Sequence, residues 1–377
     1  MIYLDNAATT KPCRAAVEAM IKSADMFANP SSLYGIGLDA EKEINAARGV
    51  IANALGVPSK NIYFTSGGTE ANNMVILGAA EALKKRGMHV ITTKIEHPSV
   101  LESFKRLEQN GYDVTYLTPD KDGRISIDEL KSAADKKTTL ISVMHVNNET
   151  GVIQPVEEIK DAIKDIAPNA LIHSDCVQSF GKIPVNARKM NVDFITVSAH
   201  KIHGFKGCGA AYISDTRKIR PLIVGGGQQD EIRPGTENIG GIMAFGAAVR
   251  EMKSEPDKMR ELRFLLKEEL AKRLDNIKFN GSDEFNSGSV LNVSVLGVRA
   301  EILLHSLEAR GVYVSTGSAC STHKPEPSHV LTAMGLNHKE IDGAIRLSFS
   351  AKTTEEEVIS AAEIIAEEAA NIRRIMR

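Results

Sequence analysis

Short apolar stretches alternate with helical patterns along the first two-thirds of the chain. The apolar stretches are rich in β-branched residues and are apolar throughout, which indicates strands covered on both faces of a sheet. They predict strands at Ile62–Thr65, His89–Thr93, Asp113–Leu117, Thr139–Val146, Ala170–Asp175, Asp193–Ser198 and Gly209–Ile213. Between several of these, helices are predicted at Thr69–Arg86, Glu102–Asn110 and Val156–Ile166. This alternation predicts a large α/β domain with a mostly parallel seven-stranded sheet.

The pattern changes after about residue 240. A charged helix is predicted at Glu251–Leu274 as a connector, and a helix with one apolar face follows the Thr353/Thr354 cap. Between them, the pattern predicts a strand at Val290–Val295, a helix at Ala300–Arg310 and a strand at Ile345–Ser350. This mixture predicts a smaller C-terminal α+β domain. We therefore expect a large domain of residues 15–255 and a small domain formed by residues 1–14 and 256–377.

Composition and charge narrow the class of protein. Of the 377 residues, 42% are hydrophobic and 25% are charged, and the net charge is −2, which is typical of a soluble globular protein. This balance argues against nucleic acid or an anionic membrane as the main ligand. Four cysteines are too few for a disulfide framework, and none has the spacing of a zinc site. No secretory pattern and no membrane span of about 20 apolar residues is present, so we expect a cytoplasmic enzyme without a metal.

A glycine-rich segment follows the predicted strand Ile62–Thr65. The segment reads Ser66-Gly67-Gly68-Thr69-Glu70-Ala71-Asn72 and opens a helix. Its glycines permit close approach of a ligand to the backbone, and a helix N-terminus favours an anion. It has neither the Gly-Lys-Ser/Thr ending of a P-loop nor the GxGxxG pattern. By itself, the segment fits a phosphate-binding turn and a plain strand–helix turn equally well.

Two other predicted strands end in residues that can carry chemistry. Asp175 ends one strand, with Gln178 three residues later, and it could serve in a ligand site or cap the next helix. Lys201 follows another strand and is either a surface lysine or an amine that loses its proton on burial. Ligands of open α/β sheets bind at the carboxyl ends of strands. Together, a phosphate-binding turn, an acid for a pyridinium nitrogen and a Schiff-base lysine match the requirements of pyridoxal 5′-phosphate (PLP).

The chain resembles the class V, fold-type I PLP-dependent enzymes, and within them the cysteine desulfurases of the NifS/IscS type. The resemblance runs from Tyr3 to Arg346 and rests on segments 65–72, 96–97, 147–151, 198–201 and 233–238. Its most specific segment is Ser315-Thr316-Gly317-Ser318-Ala319-Cys320-Ser321. This segment matches the catalytic loop of the group in which that loop is long and mobile.

The resemblance implies a role for each matching residue. Lys201 would form the Schiff base with the cofactor, Cys320 would accept the sulfur, and His97 would stack on the cofactor ring and shuttle protons. Asp175 would pair with the ring nitrogen and Gln178 would meet the phenolic oxygen. The remaining implied ligands are Gly68, Thr69, Ser198 and His200 for the phosphate, Thr236 for the phosphate of the neighbouring subunit of a homodimer, and Asn148 and Arg346 for the substrate carboxylate, with Asn148 also contacting the cofactor.

The implied reaction converts L-cysteine into L-alanine and leaves a persulfide on Cys320. The persulfide would pass to an acceptor protein, such as an iron–sulfur scaffold or a tRNA-thiolation enzyme, without direct binding to nucleic acid or membrane. The alternatives are a selenocysteine lyase or a class V aminotransferase on the same scaffold. A third hypothesis is a non-catalytic binding protein, but the presence of both Lys201 and Cys320 argues against it. Cys176 stands where the family pattern has a small residue such as alanine, and we expect it to be an inert apolar side chain.

Overall fold

A computed structural model describes residues 1–252, 254–316 and 327–375. Within these ranges, the strands are β1 (Ile2–Tyr3), β2 (Ile62–Thr65), β3 (His89–Thr93), β4 (Asp113–Leu117), β5 (Thr138–Ser142), β6 (Leu171–Asp175), β7 (Phe194–Ser198), β8 (Gly209–Ile213), β9 (Ile277–Asn280), β10 (Val290–Val295), β11 (Val312–Tyr313), β12 (Ser315–Thr316) and β13 (Ala344–Ser348).

The helices within the same ranges are α1 (Arg14–Ser23), α2 (Gly35–Leu55), α3 (Gly68–Leu83), α4 (Pro98–Gln109), α5 (Ile127–Ala133), α6 (Val156–Ile163), α7 (Ala187–Met190), α8 (Ile239–Glu251), α9 (Pro256–Arg273), α10 (Ala300–Ala309), α11 (His329–Ala333), α12 (His338–Asp342) and α13 (Glu355–Ile375). None of the helices in the described part of the chain is both long enough and apolar enough to cross a membrane.

The large sheet has seven strands in the order β2-β8-β7-β6-β5-β3-β4. Strands β4, β3, β5, β6 and β7 run parallel, whereas β8 is antiparallel to both of its neighbours. Helices cover both faces, and one apolar cluster lies on each face of the sheet. The sequence-based expectation of an α/β domain with a mostly parallel seven-stranded sheet is therefore confirmed.

A second, antiparallel sheet has the order β12-β13-β10-β9 and packs against a separate apolar cluster with α9, α10 and α13. The short β1 pairs with β11, so the start of the chain joins this layer, as Leu4 does in its core. Cys13 instead packs in the core of the large sheet. The predicted division into residues 15–255 and residues 1–14 plus 256–377 stays a prediction, and the packing of Cys13 does not follow it.

The largest differences from the predicted bounds concern three elements. Strand β5 ends at Ser142 rather than Val146: the backbone N–H groups of Val143 and His145 still donate to β6 carbonyls, but Val146 bridges Ile153 in the following loop. The single helix expected at Glu251–Leu274 is wrong: α8 ends at Glu251, and α9 begins at Pro256, which favours the first turn of a new helix. Helix α4 begins at Pro98, four residues earlier than predicted, because His97 caps it.

Candidate active site

The glycine-rich turn and the lysine segment meet at one edge of the large sheet. Thr65, the last residue of β2, and Ser198, the last residue of β7, both pair with Gly209, one from each side. A side chain at Gly209 would collide with the backbone of Gly67 at 2.7 Å, so the close packing of these segments requires glycine. The sequence-predicted groups are thus neighbours in space.

The start of α3 is arranged as an anion site. The helix begins at Gly68, and the preceding Gly67 offers no side chain to its free N–H groups. The buried hydroxyl of Ser198 has no hydrogen-bond partner in the structure. A buried hydroxyl without a partner is costly, and such an atom beside a helix N-terminus suits a bound anionic ligand. Thr69 is exposed at the same helix start.

A carboxylate lies at the end of the neighbouring strand β6. Asp175 is buried, and its Oδ1 accepts a hydrogen bond from the backbone N–H of Val177 at 2.9 Å. Its Oδ2 accepts from Asn72 Nδ2 at 2.7 Å. Asp175 therefore makes a local backbone contact, as the plain structural interpretation expects, but a buried side chain from α3 also holds it.

Asn72 connects Asp175 to His97 by a directed set of hydrogen bonds. Its Nδ2 also donates to Ser99 Oγ at 2.9 Å, and its Oδ1 accepts from Thr196 Oγ1 at 2.5 Å. Ser99 Oγ lies 2.8 Å from His97 Nδ1, which also accepts from the Ser99 backbone N–H. These contacts require an unprotonated Nδ1, so neutral His97 carries its proton on Nε2.

The surroundings of His97 favour its neutral form. Burial lowers the pKa of His97, and the charges of Lys201 and His329 lower it further, while the Asp175 carboxylate opposes the shift. The neutral form is also favoured at His200, because burial, and to a smaller extent the charges of nearby lysines, lower its pKa to about 4. His200 lies beside Thr9, with its Nδ1 3.2 Å from Thr9 Oγ1.

Lys201 closes a short helical turn after β7 and reaches back to the N-terminal segment. Its Nζ donates to the carbonyls of Ala7 at 2.6 Å and Ala8 at 2.8 Å. Gln178 Nε2 donates to the same Ala7 carbonyl at 2.9 Å. The Gln178 amide and the Lys201 amine therefore converge on one acceptor.

A second polar group faces this edge from the small sheet. Arg346 on β13 is buried, and it donates to Asp5 Oδ1 at 2.8 Å and to the Asn148 carbonyl at 3.1 Å. Its Nε and the Asn148 side-chain Oδ1 are both buried without a partner. Arg346 and Asn148 thus lie together and retain unused hydrogen-bonding capacity, which suits a polar ligand.

The predicted sulfur acceptor, Cys320, lies outside the described residues, but the described residues on both sides of it lead to this site. On β12, Ser315 pairs directly with Arg346. Ser328 Oγ donates to Glu149 Oε2 at 2.5 Å, and His329 Nε2 lies 2.8 Å from the Glu96 carbonyl. The described residues that flank segment 317–326 therefore lie next to residues adjoining Asn148 and His97.

The three described cysteines, Cys13, Cys176 and Cys208, are all buried. Burial raises the pKa of both Cys176 and Cys208 to about 12. A thiol with such a pKa holds its proton at neutral pH and is a poor nucleophile. The contact of Cys176 with Ser174 inside the core agrees with the expected inert role.

Thr236 is exposed in the single chain and stands apart from the other predicted phosphate ligands in sequence. Its segment is fixed to the start of α3 by Arg233, whose Nε lies 2.7 Å from Glu70 Oε1. Glu70 also accepts from the backbone N–H of Ser66 at 2.7 Å. The Thr236 segment is thereby tied to the anion-binding turn.

Four residues that contact this site were not singled out from the sequence: Asp5, Asn72, Ser99 and Lys182. For Lys182, the spacing of four from Gln178 inside an apolar stretch was an available signal. For Asn72, whose partner is more than a hundred positions away, no local signal exists.

Comparison with known proteins places the chain among enzymes of one family. The aminotransferase class-V model matches residues 2–360. The chain is 42% identical to cysteine desulfurase IscS of Methanosarcina thermophila, over 99% of this chain and 93% of that protein. It is 43% identical to the protein of the same name from Dictyoglomus turgidum, over 95% and 91% of the two chains.

Solved structures that resemble this chain are also similar to it in sequence. A NifS-like protein superposes with a TM-score of 0.90 at 38% identity and covers 97% of this chain and 98% of its own. SspA in complex with cysteine superposes with a TM-score of 0.83 at 35% identity, covering 93% and 99% of the two chains.

Proposed function

This chain belongs to the aminotransferase class-V family, and we propose that it is a PLP-dependent cysteine desulfurase. Its relatives of that name match nearly the whole length of both chains. The solved complex of SspA, a structural neighbour, contains cysteine, the substrate proposed for this chain. The observation that best supports the proposal is the convergence of Lys201, Asp175 and the partnerless Ser198 hydroxyl at one sheet edge.

The residues present fit PLP. The start of α3 and Ser198 would hold the phosphate, since both offer unused hydrogen-bond donors. Asp175 would meet the ring nitrogen, Gln178 the phenolic oxygen, and Lys201 would bind the cofactor covalently. When bound, PLP supplies an electron sink that weakens the bonds at Cα of the amino acid.

The chain's own residues would bind L-cysteine and move its protons. Arg346 would pair with the substrate carboxylate, since its Nε has no other partner. Asn148 would add a hydrogen bond to that carboxylate from its Nδ2, the only donor of its side chain. Lys201, once released from the cofactor, would take the proton from Cα. His97 would hold a proton on Nε2, because its Nδ1 already accepts from Ser99.

Cys320 would act as the nucleophile. Its thiolate would attack the substrate sulfur, so that an S–S bond forms and the substrate C–S bond breaks with the electron pair staying on carbon. The carbon then takes up a proton and the product is alanine, while the sulfur remains on Cys320 as a persulfide. The raised pKa values of Cys176 and Cys208 leave both of them unsuited to this step.

Two substitutions test this function. Lys201→Ala should abolish turnover, and Cys320→Ser should retain the visible absorbance of the cofactor but release almost no sulfide and form no persulfide. Cys176→Ala is the matched control and should desulfurate normally. The measurements are alanine and sulfide release, with persulfide location by mass spectrometry, using cysteine, selenocysteine and keto acids as substrates. Normal turnover by Cys320→Ser, or a persulfide on Cys176, would show that the assignment is wrong.

The functional unit would be a homodimer. Thr236 is exposed in the single chain, and its segment is tied to the start of α3 by Arg233 and Glu70. Thr236 would reach the cofactor phosphate of the neighbouring subunit. The persulfide would be passed to an acceptor protein such as an iron–sulfur scaffold or a tRNA-thiolation enzyme, and transfer of labelled sulfur to purified candidates would identify which.

A further inference from the structure

A second lysine lies buried beside Lys201. Lys182 is only 6% exposed, although a lysine side chain is almost never fully buried without a partner. Its Nζ donates to Gln178 Oε1 at 2.8 Å, one helical spacing earlier in the same turn. The other end of that amide, Nε2, donates to the Ala7 carbonyl, which also accepts from Lys201 Nζ. An unbroken set of hydrogen bonds therefore connects the two lysines through Gln178.

The chemistry of these groups fixes the direction of the Gln178 amide. A lysine ammonium has three donors and no acceptor, so it can face only the amide oxygen. If the amide were reversed, its Nε2–H group would face the Lys182 ammonium, donor against donor. Its Oε1 would then face the Ala7 carbonyl, acceptor against acceptor. The Ala7 carbonyl favours the same orientation. The Lys182 ammonium favours it more strongly, because a hydrogen bond from a charged donor is about twice as strong as a neutral one. A cation at Oε1 also polarises the amide and makes Nε2–H a better donor.

We propose that Lys182 is a positioning residue that holds the Gln178 amide with its Nε2–H group directed toward the Lys201 side of the site. This inference rests on the proposed function, because the group that Gln178 would meet there is the phenolic oxygen of PLP. Lys182 would not contact the cofactor itself. Its effect would pass entirely through Gln178.

Within the described part of the chain, Lys182 forms no ion pair with a carboxylate, and its surroundings disfavour charge. Burial, together with the charges of Lys201 and Arg346, lowers the pKa of Lys182 to about 7. Glu251, Glu255 and Lys258 line the same cavity of about 420 Å³. A lysine kept in surroundings that disfavour its charge, with its hydrogen bond directed at a predicted cofactor ligand, is more readily explained by a role in the site than by stability.

The experiment compares the pH midpoint of the visible absorbance of bound PLP in four proteins: wild type, Lys182→Met, Gln178→Leu and the double variant. Loss of the donor to the phenolic oxygen should raise the midpoint on the order of one pH unit in each single variant. If Lys182 acts through Gln178, the double variant shifts no further than Gln178→Leu alone. Lys182→Arg, which is also a donor only, should return the midpoint toward the wild-type value.

Lys160→Met is the matched control. Lys160 donates to the Ala170 carbonyl at the opposite end of β6, so its loss should leave the midpoint unchanged. If Lys182→Met does not fold, Lys182→Gln replaces it, since a glutamine can donate or accept and does not select one amide orientation.

Three outcomes would overturn the inference. The first is a wild-type midpoint in Lys182→Met. The second is a Lys182→Met shift that persists in full in the Gln178→Leu background, which would mean that the charge acts directly on the cofactor. The third is a wild-type protein without visible PLP absorbance, which would also contradict the proposed function, whereas the first two leave that function intact.

Discussion

Asn72 Nδ2 lies 2.7 Å from Asp175 Oδ2, and both side chains are buried. All the hydrogen-bonding groups of the Asn72 amide are used: its second donor reaches Ser99, and its oxygen accepts from Thr196. One asparagine on α3 thus orients the carboxylate at the end of β6 and, through Ser99, the imidazole of His97. A single residue would therefore orient both of the groups proposed to contact the cofactor ring, the Asp175 carboxylate and the His97 imidazole.

Replacing Asn72 should therefore weaken cofactor binding as well as the stability of the fold. Asn72→Leu leaves Asp175 Oδ2 without its donor, and an unsatisfied buried acceptor costs about 1–3 kcal/mol. We expect PLP affinity and kcat/KM to fall roughly tenfold or more. The measurement is PLP titration by absorbance together with steady-state alanine release.

The control for this prediction is Asn73→Ala. Asn73 is the next residue on α3 but contacts the backbone of Thr69 and Ser99 rather than Asp175. Equal losses in both variants would indicate a general disturbance of α3 and contradict the specific role of Asn72.

Arg346 should determine the affinity for substrate rather than for cofactor. A guanidinium pairs with a carboxylate through two parallel hydrogen bonds, which a lysine cannot reproduce. Arg346→Lys should raise KM for cysteine by at least tenfold, while the cofactor absorbance stays as in the wild type. Asp5→Asn, which weakens the ion pair that orients Arg346, should raise KM less.

Arg124→Lys is the matched control for Arg346, because Arg124 pairs with Glu158 near the surface and not with residues of the site. A lower kcat with unchanged KM in Arg346→Lys would assign this arginine to the chemical step and contradict a role in binding the carboxylate.

The folded protein should lose stability between about pH 6.5 and pH 3. Burial lowers the pKa of His173 to about 3 and that of His145 to about 4. Below about pH 6.5, the unfolded chain protonates these histidines while the folded chain does not, so the unfolded state gains protons and stability falls with pH. Above that pH, both states are neutral and this contribution is fully present.

The test is the pH dependence of the free energy of unfolding. Each such histidine contributes a slope of up to about 1.4 kcal/mol per pH unit in this window. His173→Gln should flatten the acid side of the curve, whatever it does to stability at neutral pH. His305→Gln, at an exposed histidine, should not. Parallel curves for wild type and His173→Gln would contradict the prediction.

Much of the large sheet could be predicted because its strands are short, β-branched and apolar on both faces. Strands such as Ile62–Thr65 and His89–Thr93 have the predicted bounds. Helix α2 was not predicted: it contains three glycines, and no side chain caps its start at Tyr34. The two-residue strand β1 depends on pairing with β11, more than 300 positions away, which no local pattern reveals.

The site shows the same division between local and distant information. Lys201, Asp175 and the turn at Gly68 follow strands, so the rule for open α/β sheets indicated them. The residues that orient these groups, such as Asn72 and Asp5, act across long sequence separations. The sequence around these residues does not reveal their role, since asparagine and aspartate are also common in turns and helix caps.

The last prediction concerns Thr236 and the homodimer. Lys201→Ala and Thr236→Glu are each expected to be inactive, the second because a carboxylate would repel the cofactor phosphate. Thr236 is exposed in the single chain, so its replacement should not unfold the protein. If Thr236 serves the neighbouring subunit, a mixed dimer of the two variants contains one site with both defects and one site with neither.

Mixing the two inactive proteins under conditions that exchange subunits should therefore restore activity, approaching half the wild-type value per mixed dimer. If Thr236 served its own subunit, each site of the mixed dimer would carry one defect and no activity would return. Sedimentation of the wild type provides the control, because an active monomer would exclude any shared site. Both parent variants must also be folded, because the Lys201→Ala chain has to supply its Thr236 to the mixed dimer. Equal melting temperatures of the two variants would establish this beforehand.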